Sequence, residues 1–150
     1  MGGDQNSPSL NGTDNIRLTI GSRLELLSMV HALITQISRQ YELSEDFENA
    51  LLIAVIEAGT NAIQHGNCFA ADKSVEFEFR VGTREIIVSV DDFGTGFDPK
   101  KVENPTDEST LLSPHGRGLF LMRELMDEVS FDVRTDHGTR VLLRKARPTE

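Results

Sequence analysis

Residues Glu57 to Gly66 combine groups that could bind a metal ion and accept a proton. The segment reads Glu-Ala-Gly-Thr-Asn-Ala-Ile-Gln-His-Gly. Glu57, Asn61 and His65 recur every four residues, so a helix places them along one stripe. A carboxylate and a carboxamide one turn apart can supply a base and a neutral oxygen ligand for Mg²⁺. The alternative interpretation of the stripe is a solvated helix face.

Two glycine motifs could complete a nucleotide site. Asp92-Phe93-Gly94-Thr95-Gly96 follows a strand, so Asp92 could accept a hydrogen bond from an adenine amino group. Its glycines would let the backbone approach a ligand closely. Gly116-Arg117-Gly118-Leu119 opens a helix, whose free N–H groups favour phosphate. Taken alone, the first motif is typical of a polar turn and the second of an ordinary helix start.

A further candidate is the pair Gly138-Thr139 between the last two strands. A hairpin turn is the default interpretation, and only the surrounding motifs make the Thr139 hydroxyl a candidate ligand group. Asp91 directly precedes Asp92, so the sequence leaves open which carboxylate faces inward, although the glycine spacing favours Asp92.

Composition and charge restrict the class of protein. The 150 residues suit one domain, and 15 basic against 24 acidic residues give a net charge of −9, which disfavours nucleic acid as a partner. Cys68 is the only cysteine, which favours a reducing compartment. No apolar run approaches the roughly 20 residues that span a bilayer, and residues 1–15 lack the apolar core of a secretory signal. We therefore expect a cytoplasmic protein with no membrane segment.

Apolar periodicity predicts both strands and helices. Alternation predicts strands over 16–20, 74–81, 85–90, 129–134 and 139–144. Helical spacing predicts helices from a Ser22-x-x-Glu25 capping box to Gln40, from Ser44 to His65 and over 116–128. Hairpin-linked strands indicate an α+β fold, a two-layer sandwich whose mostly antiparallel, mixed sheet carries helices on one face.

The chain is expected to divide into one domain with two short extensions. Residues 1–15 are predicted to be a flexible lead-in, 16–145 the domain and 146–150 a tail. Residues 100–115 are polar, contain Pro105 and Pro114, and predict a long mobile loop.

In this order, the motifs resemble the GHKL ATPase superfamily of gyrase, histidine kinase and MutL types. Within it, the chain is similar to the stand-alone anti-sigma factor serine kinases. The resemblance covers about 16–145. Residues 57–66 resemble the N box, 92–96 the first Gly box, 116–129 the second Gly box and 138–143 the closing Gly-Thr segment.

The resemblance implies a histidine-kinase-like ATPase fold and a role for each matched residue. Glu57 would be the general base, Asn61 the Mg²⁺ ligand, and Asp92 with Thr139 the adenine contact. Glycines would shape the phosphate pocket and the hinge of an ATP lid at 100–115. The remaining residues of the implied nucleotide site are Gly94, Gly96, Gly116, Gly118, His65, Arg117 and Leu119.

The resemblance also implies an activity and partners. The chain would be an ATP- and Mg²⁺-dependent serine/threonine protein kinase and a homodimer, which phosphorylates an anti-anti-sigma factor and sequesters a sigma factor. Histidine kinases of this superfamily carry the phosphorylated histidine on an attached dimerisation helix. His31 instead lies on the first helix of the ATPase-like unit, so the sequence does not indicate a histidine kinase. One alternative is a nucleotide-dependent binding module without phosphoryl transfer. Another is a helix-on-sheet domain that binds no nucleotide.

Overall fold

Alternating apolar and polar residues build a five-stranded sheet in the computed structural model, which describes residues 12–94, 114–134 and 138–148. The strands lie in the order β1-β2-β3-β5-β4, and every neighbouring pair is antiparallel. The expected α+β architecture is confirmed, and the sheet that had been expected to be mixed is antiparallel throughout its described pairs. The strands are β1 (Asp14–Gly21), β2 (Ser74–Val81), β3 (Glu85–Asp91), β4 (Glu128–Arg134) and β5 (Gly138–Ala146).

Three helices in the described ranges pack against this sheet: α1 (Leu27–Gln40), α2 (Glu45–Asn61) and α3 (Pro114–Leu125). A short 3₁₀ turn at Leu24–Leu26 precedes α1, and a π-helical turn at Ala62–Gly66 extends α2. The inward positions of the strands meet the helices in one apolar core. Its fully buried strand residues are Val75, Phe77, Phe79, Val81, Ile86, Val88, Val90 and Leu143.

Gly59 sets the distance between α2 and its neighbours. A Cβ atom at this position would lie 2.8 Å from Cδ2 of Leu27 on α1 and 3.0 Å from Cζ of Phe77 on β2. Both distances are shorter than normal carbon contacts, so the missing side chain lets the helix approach α1 and the sheet together. This close packing fixes the helix that carries Glu57 and Asn61.

Several element boundaries differ from the sequence-based expectation. β1 begins at Asp14, so it includes the last two residues of the expected lead-in, and β5 extends to Ala146. α3 begins at Pro114, inside the expected loop, and ends at Leu125 rather than Glu128. Proline at the start of α3 has a physical reason, because the first helical residue needs no N–H group and its φ angle suits proline.

Ser22 does not cap α1, so the expected capping box is wrong. The side chain is buried, its Oγ donates to the Lys73 carbonyl at 2.5 Å, and it accepts a bond from Asn67 Nδ2 at 2.9 Å. These partners lie 51 and 45 residues away along the chain. A tertiary contact has therefore taken the hydroxyl that a local pattern assigned to the helix.

Residues 1–11, 95–113, 135–137 and 149–150 lie outside the described part of the chain. Residues 1–11 of the expected lead-in, Gly96 and most of the expected ATP lid fall there and stay predictions. Within the described ranges, no helix combines the length and apolar character needed to cross a membrane.

The expected cap of α2 is present and gives a testable contribution to stability. Ser44 Oγ accepts a hydrogen bond from the Phe47 amide at 3.1 Å. We expect Ser44→Ala to lower the free energy of unfolding by about 1 kcal/mol, measured by urea titration. The matched control is Ser28→Ala, since Ser28 is exposed and donates only to the Glu25 carbonyl. Equal losses in both variants would contradict the assignment of Ser44 as the cap.

Candidate functional site

Asp92 follows directly on β3 and turns its carboxylate into the interior. Only 6% of the residue is exposed. Oδ1 accepts hydrogen bonds from the amides of Gly94 and Thr139, both at 3.1 Å. The Asp92 amide in turn donates to the Thr139 carbonyl at 3.0 Å. These bonds hold the carboxylate in one orientation against the start of β5.

Asp91 points to the opposite face of the sheet. Its two carboxylate oxygens accept from Nε and Nη2 of Arg140 at 2.7 and 3.0 Å. The two-residue period of β3 explains this, because the inward series that ends with Val90 continues to Asp92. Of the two neighbouring carboxylates, Asp92 is therefore the one on the helix side of the sheet.

The environment of Asp92 disfavours its charge. Burial is the largest effect and raises the pKa of the carboxyl above its ordinary value. The hydrogen bonds from the amides of Gly94 and Thr139 lower the pKa, the Asp91 charge raises it, and the Lys73 charge lowers it. The net direction is upward. The ionised carboxylate is therefore costly in this position, and a ligand that donates a hydrogen bond to it would reduce that cost.

A small, partly open and mostly apolar cavity adjoins Asp92. Among the described residues, Oγ1 of Thr139 is buried in its wall and has no hydrogen-bond partner. An apolar cavity with a few polar groups suits a flat heteroaromatic ring. The other residues of the wall are Ala58, Asn61, Ala62, Leu119, Met122, Phe131 and Val141.

The polar stripe of α2 and the π-helical turn lines a second, wider groove that is open to solvent. Glu57, Asn61 and His65 share this groove with Arg117 and Gly118 of α3. Asn61 lines both the groove and the cavity, so the two adjoin at this residue and are together called the cleft. Asn61 is half-buried and His65 is exposed, so the interpretation of the stripe as a solvated face stays open for His65.

The start of α3 closely approaches the stripe at Gly118. A Cβ atom there would lie 2.7 Å from Oε2 of Glu57 and 3.6 Å from Nδ2 of Asn61. Because α3 starts at Pro114, Gly116 is in its first turn, where N–H groups have no partner within the helix. The first turn of α3 therefore offers a partial positive charge suited to an anion.

Glu57 has the properties of a proton acceptor. Burial raises the pKa of its carboxyl above the ordinary value for glutamate. A raised pKa strengthens the group as a base, and near-neutral values are effective in general base catalysis.

The residues present suit a cation only together with a phosphorylated ligand. In the described ranges, no group of three or more His, Cys, Asp or Glu side chains could hold a metal ion. Asn61 can offer one amide oxygen. Mg²⁺ commonly takes few protein ligands and completes its shell with phosphate oxygens and water, so this donor set fits Mg²⁺ with phosphate.

Three glycines enclose Asp92, and two of them were not identified as site residues from the sequence. A Cβ atom at Gly66 would lie 2.3 Å from Oδ2 of Asp92, and one at Gly94 would lie 1.6 Å from the Gly66 carbonyl oxygen. Gly138 has a φ angle of +89°, and a Cβ atom there would lie 2.1 Å from the Asp92 carbonyl oxygen. The backbone of the loop after β3 thus packs directly against the backbone at the end of the π-helical turn.

Most of the site residues expected from the sequence meet in the cleft. The Gly94 amide donates to the Asp92 carboxylate, and Gly116 is in the first turn of α3. Gly96 lies outside the described residues. The groove contains Glu57, Asn61, His65, Arg117 and Gly118, and the cavity contains Asn61, Asp92, Leu119 and Thr139.

Comparison with known proteins gives an independent result. Residues 20–145 match the family model of the histidine kinase-like ATPase domain. The chain is 34% identical over 143 residues to the serine-protein kinase RsbW of Bacillus licheniformis, covering 88% of this chain and 85% of the relative. It is 31% identical over 143 residues to the same-named protein of Bacillus subtilis, covering 90% and 87%.

A solved structure shows the same fold. A crystal structure of the RsbU and RsbW domains of a Mycobacterium tuberculosis protein superposes with a TM-score of 0.65 at 16% sequence identity. The match covers 91% of this chain and 34% of the other, so this chain spans about a third of that protein. At this identity the likeness concerns the fold alone.

Proposed function

The chain belongs to the histidine kinase-like ATPase domain family, and from this premise we propose that its cleft binds ATP and transfers the γ-phosphoryl group to a protein hydroxyl. The observation that carries the proposal is the junction of two sites at Asn61. An apolar cavity ends on a buried carboxylate and an unpaired hydroxyl, and a polar groove contains a carboxylate of raised pKa.

Adenine occupies the cavity in this proposal. Asp92 accepts a hydrogen bond from the exocyclic amino group, and Oγ1 of Thr139 gains the partner that it lacks within the described residues. The apolar wall, including Met122 and Phe131, offers the ring contacts from which water is excluded. Excluding water strengthens both polar contacts.

The triphosphate lies in the groove. The first turn of α3 and the Arg117 guanidinium supply positive potential to the phosphate oxygens. Asn61 offers its side-chain oxygen to Mg²⁺, which when bound neutralises charge on the transferred phosphate.

The proposed reaction is phosphorylation of a serine or threonine on a protein, and the relatives are named serine-protein kinases. The hydroxyl oxygen of the substrate bonds to the γ-phosphorus, the bond to the bridging oxygen breaks, and ADP leaves with that electron pair. Glu57 accepts the hydroxyl proton.

The proposed partners follow from the resemblance to anti-sigma factor kinases. The phosphorylated protein is an anti-anti-sigma factor, and a sigma factor is the protein that the kinase sequesters. We further propose a homodimer in the cytoplasm, where the exposed thiol of Cys68 stays reduced. A binding module without phosphoryl transfer is not favoured, since the relatives are named kinases.

A transfer assay tests the proposal. The purified protein is incubated with Mg-ATP and each anti-anti-sigma protein encoded in the same genome. We expect Glu57→Gln to lower the transfer rate by about 10²–10⁴-fold, because it keeps the shape of the side chain but removes the base. The dissociation constant for ATP should change little in this variant. Equal phosphorylation by both proteins would disprove the role of Glu57.

The pH dependence provides a further prediction. The base must be deprotonated, so kcat/KM should rise with pH as Glu57 loses its proton. Because burial raises the pKa of Glu57, this rise should lie above the ordinary glutamate pKa of 4.5. The residual rate of Glu57→Gln should lack this rise. A wild-type rate that is already constant from pH 4.5 upward would contradict the prediction.

A further inference from the structure

Asn67 lies at the junction between α2 and the loop that carries Asp92. It follows the π turn directly and is 2% exposed. Its amide donates to the Ala62 carbonyl at 2.8 Å, and its carbonyl accepts from the Ala70 amide at 3.0 Å. The backbone of Asn67 is therefore fixed to the end of the helix that carries Glu57.

The side chain of Asn67 bonds three separate parts of the fold. Nδ2 donates to Oγ of Ser22 and to the carbonyl of Ser74, both at 2.9 Å. Oδ1 accepts from the amide of Phe93 at 2.8 Å. One buried amide thus joins the end of β1, the start of β2 and the loop after β3, and both of its polar atoms are paired.

The bond to Phe93 acts on the residue directly after Asp92. The Phe93 side chain is 41% exposed, so burial of its ring contributes little to fixing this loop. The loop is fixed instead by its backbone, through the Asn67 bond, the bonds between Asp92 and Thr139, and the contact of Gly94 with the Gly66 carbonyl. Gly66 and Asn67 are consecutive, so the steric and the polar contact come from the same short segment.

We propose that Asn67 is a positioning residue that holds the Asp92 carboxylate for adenine, and that it thereby determines base selectivity. The inference rests on the proposed adenine contact of Asp92. Guanine presents a carbonyl oxygen where adenine presents an amino group, so a correctly placed carboxylate favours adenine and repels guanine. A displaced carboxylate loses both effects, whereas a general loosening of the cleft weakens both nucleotides equally.

The test measures dissociation constants for ATP and for GTP by calorimetry. In Asn67→Ala we expect the preference for ATP over GTP to fall about tenfold, mainly through weaker ATP binding. The matched control is Ser22→Ala, which removes the Ser22 bonds to Asn67 and Lys73 but leaves the Phe93 bond in place. Ser22→Ala should be less stable yet keep the wild-type preference.

A preference unchanged in Asn67→Ala, or lost equally in Ser22→Ala, would overturn the proposal. Hydrogen exchange on the wild-type protein provides a test if Asn67→Ala does not fold. The Phe93 amide should be protected in the protein without nucleotide, and exchange at the rate of an unstructured amide would also overturn it. A wild type without preference for ATP, or an Asp92→Asn variant that keeps the full preference, would instead contradict the adenine contact itself.

Discussion

Replacing Asp92 with asparagine is expected to raise the dissociation constant for ATP about 100-fold while leaving the fold at least as stable. The asparagine oxygen can still accept from the amides of Gly94 and Thr139, so the loop keeps its bonds. Its NH₂ group, however, faces the adenine amino group donor to donor. Calorimetric titration with ATP and thermal unfolding without nucleotide measure the two effects.

The effect on stability follows from the sign of the pKa shift. The folded-state pKa of Asp92 is raised above its unfolded value, so its contribution to stability is full below the unfolded pKa. It is lost as the pH rises through the folded pKa, and at neutral pH the buried charge is a cost. Asparagine removes this charge, so the melting temperature at pH 7 should stay equal or rise.

Asp91→Asn is the matched control. Asp91 pairs with Arg140 on the outer face of the sheet, so its replacement should leave ATP binding unchanged. The pair is partly exposed, and its loss should cost only about 0–1 kcal/mol of stability. If Asp91→Asn weakened ATP binding more than Asp92→Asn, the assignment of the inward carboxylate would be wrong.

Gly94→Ala is expected to abolish measurable nucleotide binding and to destabilise the protein by about 1–3 kcal/mol or more. The added Cβ atom would lie 1.6 Å from the Gly66 carbonyl oxygen. Both groups belong to the backbone, so no side-chain rotation relieves the overlap and the loop with Asp92 must move. Calorimetry with ATP and urea unfolding measure the two losses.

Gly21→Ala serves as the control for adding a methyl group. A Cβ atom at Gly21 would meet only Cδ1 of Leu26, at 3.7 Å, which is an ordinary contact. This variant should bind ATP like the wild type. Wild-type affinity in Gly94→Ala would show that the loop accommodates the methyl group and that its packing does not control the site.

Local patterns in the sequence predict much of the fold and the site. Spacing by four residues places Glu57 and Asn61 in one groove, and serine followed by acidic residues identifies the start of α2 at Ser44. The sequence also allows the choice between Asp91 and Asp92 to be predicted, because the inward and outward alternation of β3 continues one residue past the end of the strand. The glycine spacing favours Asp92, and the period of two along β3 favours the same residue on separate grounds.

Contacts between distant segments were not predictable from such patterns. Ser22 has the local signature of a helix cap, and Asn67 has that of a helix stop, yet the two side chains bond each other in the interior. Gly66 likewise looks like a helix terminator, whereas its lack of a side chain makes room for the Asp92 carboxylate. In each case a partner more than 20 residues away decides the role of the residue.

The close packing of Gly59 against Leu27 and Phe77 has an evolutionary consequence. The position of α2 beside the cleft is set on the reverse side of the helix, by three residues that line neither the groove nor the cavity. A larger residue at position 59 would push the helix outward and shift every group on its opposite side at once. Substitutions at these core positions are therefore expected to alter the turnover rate, which would limit the residues that evolution can place there.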